Sequence, residues 1–157
     1  MRTFVTAALA GLTAFSFASS ASAYHFIKPS NAPFNITGSL TVTAAAVSLP
    51  CTANMHATTV GRGATITSAT FSGVSCAALT ASGLPWHITV SGAHSIKLHN
   101  VAVTAVVLGL CGPGDIKAQL NAHGKIVIAG AGLPGLVPCS VSATLDTNPN
   151  LIIGGHQ

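Results

Sequence analysis

Along most of this chain, apolar and polar residues alternate with a period of two. Leu40, Val42 and Ala44 alternate with Ser and Thr, and the same alternation recurs over residues 139–146. Past the first 23 residues, no stretch of ten or more repeats with the period near 3.6 of an amphipathic helix. Because Gly and Pro interrupt the pattern at short intervals, we predict an all-β antiparallel β-sandwich or jelly-roll-like double sheet of about eight or nine short strands. The alternative, an eight-stranded outer-membrane barrel, is disfavoured because aromatic residues are too few for two girdles and Pro and Gly break the strands too often.

The clearest predicted element is a hairpin in the middle of the chain. A three-residue connection over residues 92–94 would set Val90 opposite Ile96 and Ile88 opposite Leu98. Apolar residues then meet apolar residues across the two strands, so the register is consistent on both faces.

Three other segments carry local predictions. A second hairpin is predicted over residues 115–129, around a turn that Gly124 closes. Between Ile66 and Ala69, the apolar residues change from even-numbered to odd-numbered positions. We interpret this shift as a β-bulge rather than a helix, because the segment is rich in β-branched residues. The segment 101–110 is apolar on both faces, and we predict a central strand or a strand covered by a loop.

The four cysteines predict two disulfides that staple the β domain, provided that the chain reaches an oxidising compartment. Four cysteines allow three pairings. We favour Cys51 with Cys76 and Cys111 with Cys139, because each pair would lie near the open end of its own hairpin. The alternative, a four-cysteine zinc site, is disfavoured because the chain has no Cys-x-x-Cys spacing.

Residues 1–23 have the pattern of a signal peptide. Arg2 supplies a positive charge, residues 4–17 form a short apolar run, and Ala21, Ser22 and Ala23 form a small-residue cleavage site. The alternative, a retained anchor helix, is disfavoured because the run is short. We therefore predict a single β-sandwich domain over residues 24–157, with no transmembrane segment after cleavage.

Charged residues are scarce, at 5% of the chain, whereas about 25% is usual in soluble domains. After cleavage, five Lys and Arg stand against two Asp, so the net charge is +3. These charges are too few and too scattered for a nucleic-acid interface. A surface with so few charges favours adsorption to an apolar phase or self-association.

The chain offers little for catalysis, and we predict no enzyme activity, no catalytic residue and no cofactor. It contains no Glu, and Asp115 and Asp146 stand in different predicted elements. Paired-carboxylate chemistry therefore lacks its residues, and no nucleophile elbow, haem site or phosphate loop occurs.

Histidine is the one polar residue type in excess, with seven in the chain. The predicted central hairpin sets His87 opposite His99, which makes this pair a weak candidate for a metal site. The more favoured interpretation is that the histidines are uncharged surface residues, because spacing fixes no third ligand and no carboxylate orients the rings. Trp86 is interpreted as a core residue rather than a ligand-stacking one.

Several short motifs together resemble those of the small secreted bacterial proteins called protein activators of alkane oxidation. They are Gly83-Leu84-Pro85-Trp86, Cys111-Gly112-Pro113, Pro138-Cys139 and Pro33-Phe34. The resemblance covers nearly all of the chain after the signal peptide.

This resemblance implies a non-enzymatic protein that is secreted, or held at the surface of a Gram-negative bacterium after passing through the periplasm. It would assist hydrocarbon uptake by adsorption, by emulsification or by association with the surface matrix, so its partner would be an apolar phase or that matrix. Two alternatives remain open: a structural subunit or adhesin of a surface fibre or biofilm matrix, and a small periplasmic binding module with a pocket between sheets.

The charge inventory predicts that adsorption to oil depends on pH. Protonating all seven histidines would raise the net charge after cleavage from +3 to +10. Because like-charged copies repel at an interface, we expect strong adsorption to hexadecane droplets at pH 7.5, weaker adsorption at pH 5, and partial recovery with added salt. Adsorption isotherms at the two pH values measure this, and identical isotherms would show that the histidines are buried, bound to metal or irrelevant to association.

Overall fold

The computed structural model describes residues 24–28 and 31–155, and the predicted signal peptide lies outside them. Eleven strands and no helix occur in these residues. The strands are β1 His25–Phe26, β2 Pro33–Ala44, β3 Val47–Val60, β4 Gly63–Ser72, β5 Thr80–Ser82, β6 Trp86–Val90, β7 Ser95–Ala105, β8 Gly109–Leu120, β9 Lys125–Leu133, β10 Cys139–Asn148 and β11 Ile153–Gly154. The prediction of an all-β chain is confirmed.

The main sheet closes on itself, so the prediction of a sandwich or double sheet is wrong. Its order is β7-β6-β4-β3-β2-β10-β9-β8, and β8 pairs again with β7, which makes an eight-stranded closed barrel. Nearly every neighbour in this order is also a neighbour in sequence. Within this closed sheet of the described residues, only the β2–β10 ladder joins segments distant in sequence, through ten residue pairs from Asn35↔Asn148 to Ala44↔Cys139. Alternation gives an apolar inner face to a sandwich and a barrel alike, so it does not distinguish them.

The strands are also longer than predicted. β3 has 14 residues and β2 and β8 have 12 each. Strands of a closed barrel tilt relative to its axis, and a tilted strand needs more residues to cross the wall. Two short pieces complete the fold: β5 pairs with β7 beyond the end of β6, and β1 pairs with β11 as a separate two-stranded sheet.

The interior is filled by the apolar residues of the alternating pattern. In β10, for example, Val141, Ala143 and Leu145 are buried and the Ser and Thr residues between them face outward. Trp86 is only 3% exposed and its Nε1 donates a hydrogen bond to the Ser82 carbonyl at 2.9 Å. The interpretation of Trp86 as a core residue is therefore confirmed.

The predicted central hairpin is confirmed residue for residue. Its ladder pairs Val90 with Ile96, Ile88 with Leu98 and His87 with His99. Local spacing was sufficient here because a hairpin register depends only on turn length and on which face is buried.

The second hairpin and the bulge are also present. Leu120 pairs with Ile126 around a turn in which Gly124 has a φ of 77°. In β4, Ile66 faces Ala57 but Ser68 faces His56, so one residue of β4 is extra at that point.

The segment 101–110 differs from its prediction. It does not continue as one strand: β7 ends at Ala105, a turn covers residues 106–108, and β8 begins at Gly109. The part inside β7 is flanked by β8 on one side and by β5 on the other, which buries Val101 and Val103. Its apolar character on both faces therefore arises from a buried strand end followed by an apolar turn.

The close approach of β2 to β10 requires a glycine at position 38. It lies opposite Leu145, and a Cβ on Gly38 would lie 2.9 Å from the Leu145 Cα and closer still to the Thr144 carbonyl oxygen. Backbone atoms do not yield as a flexible side chain does, so β2 approaches β10 this closely only where one residue has no side chain.

We predict that Trp86→Ala lowers the free energy of unfolding by about 3–5 kcal/mol, because it empties a large site in the barrel interior. Trp86→Phe keeps most of the side-chain volume and loses the hydrogen bond to Ser82 together with one ring of the indole, so its loss of stability should be clearly smaller. Urea unfolding of the parent and the two variants measures both losses. Equal midpoints for Trp86→Ala and the parent would mean that the side chain does not contribute to the core.

Candidate functional site

Both disulfides lie at one end of the barrel, which we call the disulfide end. Cys51 is joined to Cys76 with 5.7 Å between their Cα atoms, and Cys111 to Cys139 with 5.8 Å. These are the two pairings that the hairpin argument favoured. The end contains the turns 45–46 and 106–108 and the loops 73–79 and 134–138. The barrel order brings them together, because Ala44 and Leu133 both lie opposite Cys139.

Five apolar side chains are exposed at this end, in the turn 106–108, at the start of β8 and in the loop 134–138, and we call them the apolar patch. Val106 and Val107 are 89% and 68% exposed, and Leu136 is fully exposed. Leu110 and Val137 are about half exposed and complete the patch. Val74, on the neighbouring loop 73–79, is also fully exposed. Exposed apolar side chains that are grouped at one end of a fold mark interaction surfaces more often than isolated ones do.

The patch is held together by the backbone and by one disulfide. The Gly112 N–H donates a hydrogen bond of 2.6 Å to the Pro134 carbonyl, and the Cys111–Cys139 bridge joins the same two segments. Loop 134–138 packs so closely that a Cβ on Gly135 would lie 2.9 Å from the Leu110 carbonyl oxygen. Leu136 and Val137 are thereby positioned beside Leu110, although they bury little surface of their own.

The four connections of the disulfide end contain no charged residue and no histidine. Arg62, His94 and His123 lie in connections at the opposite end of the barrel. Exposed apolar side chains also occur there, at Tyr24, Ile27, Val60 and Ile152. They differ in their surroundings, because Lys28 directly follows Ile27 and Arg62 stands two residues from Val60. Of the two ends, as far as the structure describes them, the disulfide end is the one that could enter an apolar phase without desolvating a neighbouring charge.

A small apolar cavity lies in the barrel interior. Its volume is about 30 Å³, and Trp86, Met55 and Phe71 are among its lining residues. That is room for about two water-sized spheres, whereas small-molecule sites usually have about 300 Å³ or more. The interior is therefore a packed core, and the exposed surface is where this fold can meet another phase or molecule.

A family model described as alkane oxidation protein activator PraA/PraB-like matches residues 1–154. The chain belongs to this family. No curated protein and no solved structure matches it. The resemblance drawn from the short sequence motifs is thus confirmed over nearly the whole chain.

In this PraA/PraB-like protein the motif Gly83-Leu84-Pro85-Trp86 has a structural position. Gly83 has a φ of 67°, which favours glycine, and Leu84 packs against the core. The motif leads from β5 into β6 and delivers Trp86 to the barrel interior. Among the described residues, no helix is long and apolar enough to cross a membrane.

The histidine pair considered as a metal site is placed as predicted, with His87 opposite His99. Both rings contact neighbouring side chains: His87 Nδ1 lies 3.4 Å from Thr65 Oγ1, and His99 Nε2 lies 2.8 Å from Thr89 Oγ1. Within the described residues, no three His, Cys, Asp or Glu side chains are grouped as metal ligands would be. The pair thus has no third protein ligand in the described part of the chain.

One sequence interpretation about this pair is wrong. We expected no carboxylate near the rings, but Asp115 Oδ2 lies 3.4 Å from His99 Nδ1 and 3.5 Å from Lys97 Nζ. The pKa of Asp115 is lowered, chiefly because its carboxylate accepts a hydrogen bond from the Asn100 backbone N–H, and additionally because of His99 and Lys97. The missing information was the β7–β8 register, which sets these residues side by side.

Proposed function

We propose that this protein is a non-enzymatic adsorbing protein of the cell exterior, which helps a bacterium to use hydrocarbons. It attaches to the oil–water interface through the apolar patch, either to emulsify the oil or to hold it at the surface matrix. The observation that carries this proposal is the patch itself: Val106, Val107 and Leu136 are largely or fully exposed at an end without charges.

Family membership supports the same function. The family description speaks of an activator of alkane oxidation, and in this proposal we interpret that word as a role beside the oxidation rather than the reaction itself. The two disulfides fit a protein that functions outside the cytoplasm, where thiols are oxidised. Both aspartates form ion pairs with lysines on the barrel surface, so neither stands in a pocket suited to acid–base catalysis.

The energetics also favour adsorption through this end. Fully burying a Val or Leu side chain is worth about 1.5–3 kcal/mol, so three such side chains contribute enough to hold a small protein at an interface. No charged group in the four connections has to be desolvated at the same time. The small interior cavity argues against the alternative in which an alkane binds inside the fold.

A second candidate, a subunit of a surface fibre or biofilm matrix, is favoured by an incomplete seam in the barrel. The β4–β6 ladder covers only Ala64–Ile66, and no ladder joins the rest of β4 to β5 in the described part of the chain. The rest of β4, residues 67–72, is therefore hydrogen-bonded to β3 alone, and β5 lies near it without forming a ladder. A strand edge of this kind is a site where a strand from another copy could pair.

The adsorbing function predicts that Val106→Ser, Val107→Ser and Leu136→Ser, combined in one variant, strongly weaken adsorption to oil. We expect the concentration for half-saturation of hexadecane droplets at pH 7.5 to rise at least about ten-fold, because three apolar contacts are lost. The matched control combines Ile27→Ser, Val60→Ser and Ile152→Ser at the opposite end, and it should stay within about two-fold of the parent. Equal weakening in both variants would contradict adsorption through the patch.

Size-exclusion chromatography without oil separates the two candidate functions. The adsorbing function predicts that the mature protein elutes as a monomer and is depleted from the aqueous phase only after hexadecane is added. The fibre function predicts polymers in the absence of oil. These polymers should disappear when Thr70→Lys places a charge at the open part of β4.

A further inference from the structure

Two lysines face each other on the outer wall of the barrel, away from the apolar patch. Lys97 of β7 and Lys117 of β8 are directly paired in the ladder. Their neighbours Ile96 and Ala118 are buried, so both lysines point outward from the same small area. Like charges directly opposite each other destabilise a sheet. A chain with so few charges has no general need to put two of them together, and the pairing therefore calls for an explanation.

The protein does not balance these two charges. Of its two aspartates, Asp146 lies 3.7 Å from Lys125, which is in β9. Asp115 lies 3.5 Å from Lys97, but it is shared with His99 and the Asn100 N–H. Within the described residues, Lys117 has no ion pair. The site thus carries more positive charge than the adjacent protein groups neutralise.

The two lysines line a groove of about 370 Å³. Ser91, Ser95 and Gln119 line it as well, and Ile96 and Ala118 complete its wall. Hydroxyl and amide groups both donate and accept hydrogen bonds, and each ammonium group offers three donors. A groove of this volume is within the range of small-molecule sites and exceeds what a single inorganic ion would fill.

We propose that this lysine groove binds a phosphate monoester carried on a sugar-sized polar scaffold. A phosphate monoester carries about −1.5 to −2 charges at pH 7, which matches two lysines. Lysine recognises phosphate as a point charge, whereas bidentate recognition of a carboxylate favours arginine, and the groove has none. The serine hydroxyls and the Gln119 amide supply hydrogen bonds for the hydroxyl groups of the scaffold.

This site is independent of the proposed adsorbing function. It lies in the strands of the wall, and the apolar patch lies in the connections of the disulfide end. A copy adsorbed through the patch would keep the groove open to water. The shared chemistry, a phosphorylated sugar, could come from a free sugar phosphate or from a phosphorylated glycan.

Nuclear magnetic resonance titration of the mature protein tests the proposal at low salt. We expect glucose 6-phosphate to shift the backbone amide signals of Lys97, Lys117 and Gln119, and neutral glucose to leave them unchanged. Inorganic phosphate should bind at least about five-fold more weakly, because it lacks the contacts of the scaffold. A phosphomannan compared with mannose 6-phosphate identifies the source, since tighter binding per phosphate in the polymer indicates a glycan.

The variant Lys117→Gln should weaken binding of glucose 6-phosphate at least about ten-fold, because it removes a charge-assisted contact. It should also melt at or above the temperature of the parent, because it removes like-charge repulsion. Lys125→Gln is the matched control: it makes the same change of charge in β9, and we expect an affinity within about two-fold of the parent.

Three results would overturn the proposal. An equal loss of affinity in both lysine variants would show attraction by net charge alone. Unchanged amide signals with glucose 6-phosphate would show that the groove does not bind phosphorylated sugars. If inorganic phosphate bound as tightly as glucose 6-phosphate, the sugar would make no contribution to binding, and the proposed ligand would be wrong. Because the patch variant keeps the groove intact, failure here is separate from failure of the adsorbing function.

Discussion

The β2–β10 ladder is the interaction on which the rest of the structure depends. All other neighbours of the closed sheet lie close in sequence, and only these ten pairs bring the two ends of the meander together. Without them, two long strands would expose unpaired backbone groups and one side of the apolar interior. Closure removes both edges at once, which is how antiparallel barrels avoid open strands. The approach of Leu145 to Gly38 shows how little space this pairing leaves.

Closure also explains why both disulfides lie at the same end of the barrel. A barrel places alternate connections at each end, so the open ends of two hairpins that are remote in sequence become neighbours. The bridges span 25 and 28 residues, and loops of this size are each worth roughly 3–4 kcal/mol in the chain-entropy model. The connections at this end bury little apolar surface of their own. Because the disulfides stabilise the fold there, these connections can expose Val106 and Leu136 to water while the barrel stays folded.

The β7–β8 hairpin contributes to both proposed surfaces. Its turn presents Val106 and Val107 at the disulfide end, and its ladder pairs Lys97 with Lys117 on the wall. The two surfaces are chemically opposite, one apolar and one cationic, and they are separated because a turn and a ladder lie at different heights of the barrel. A protein with few charges can thus have an apolar end and a local ionic site without mixing them.

The sequence by itself determined the strand class, the central hairpin register, the burial of Trp86 and the favoured disulfide pairing. Each depends on alternation or on turn length within one hairpin, which are local properties. Tertiary structure decided closure, because the β2–β10 pairing joins segments about a hundred residues apart. It also decided the contact of Asp115 with His99 and the pairing of the two lysines. Sequence missed these because the β7–β8 turn, Val106-Val107-Leu108, contains no Gly, Pro, Asn or Asp that would mark a turn.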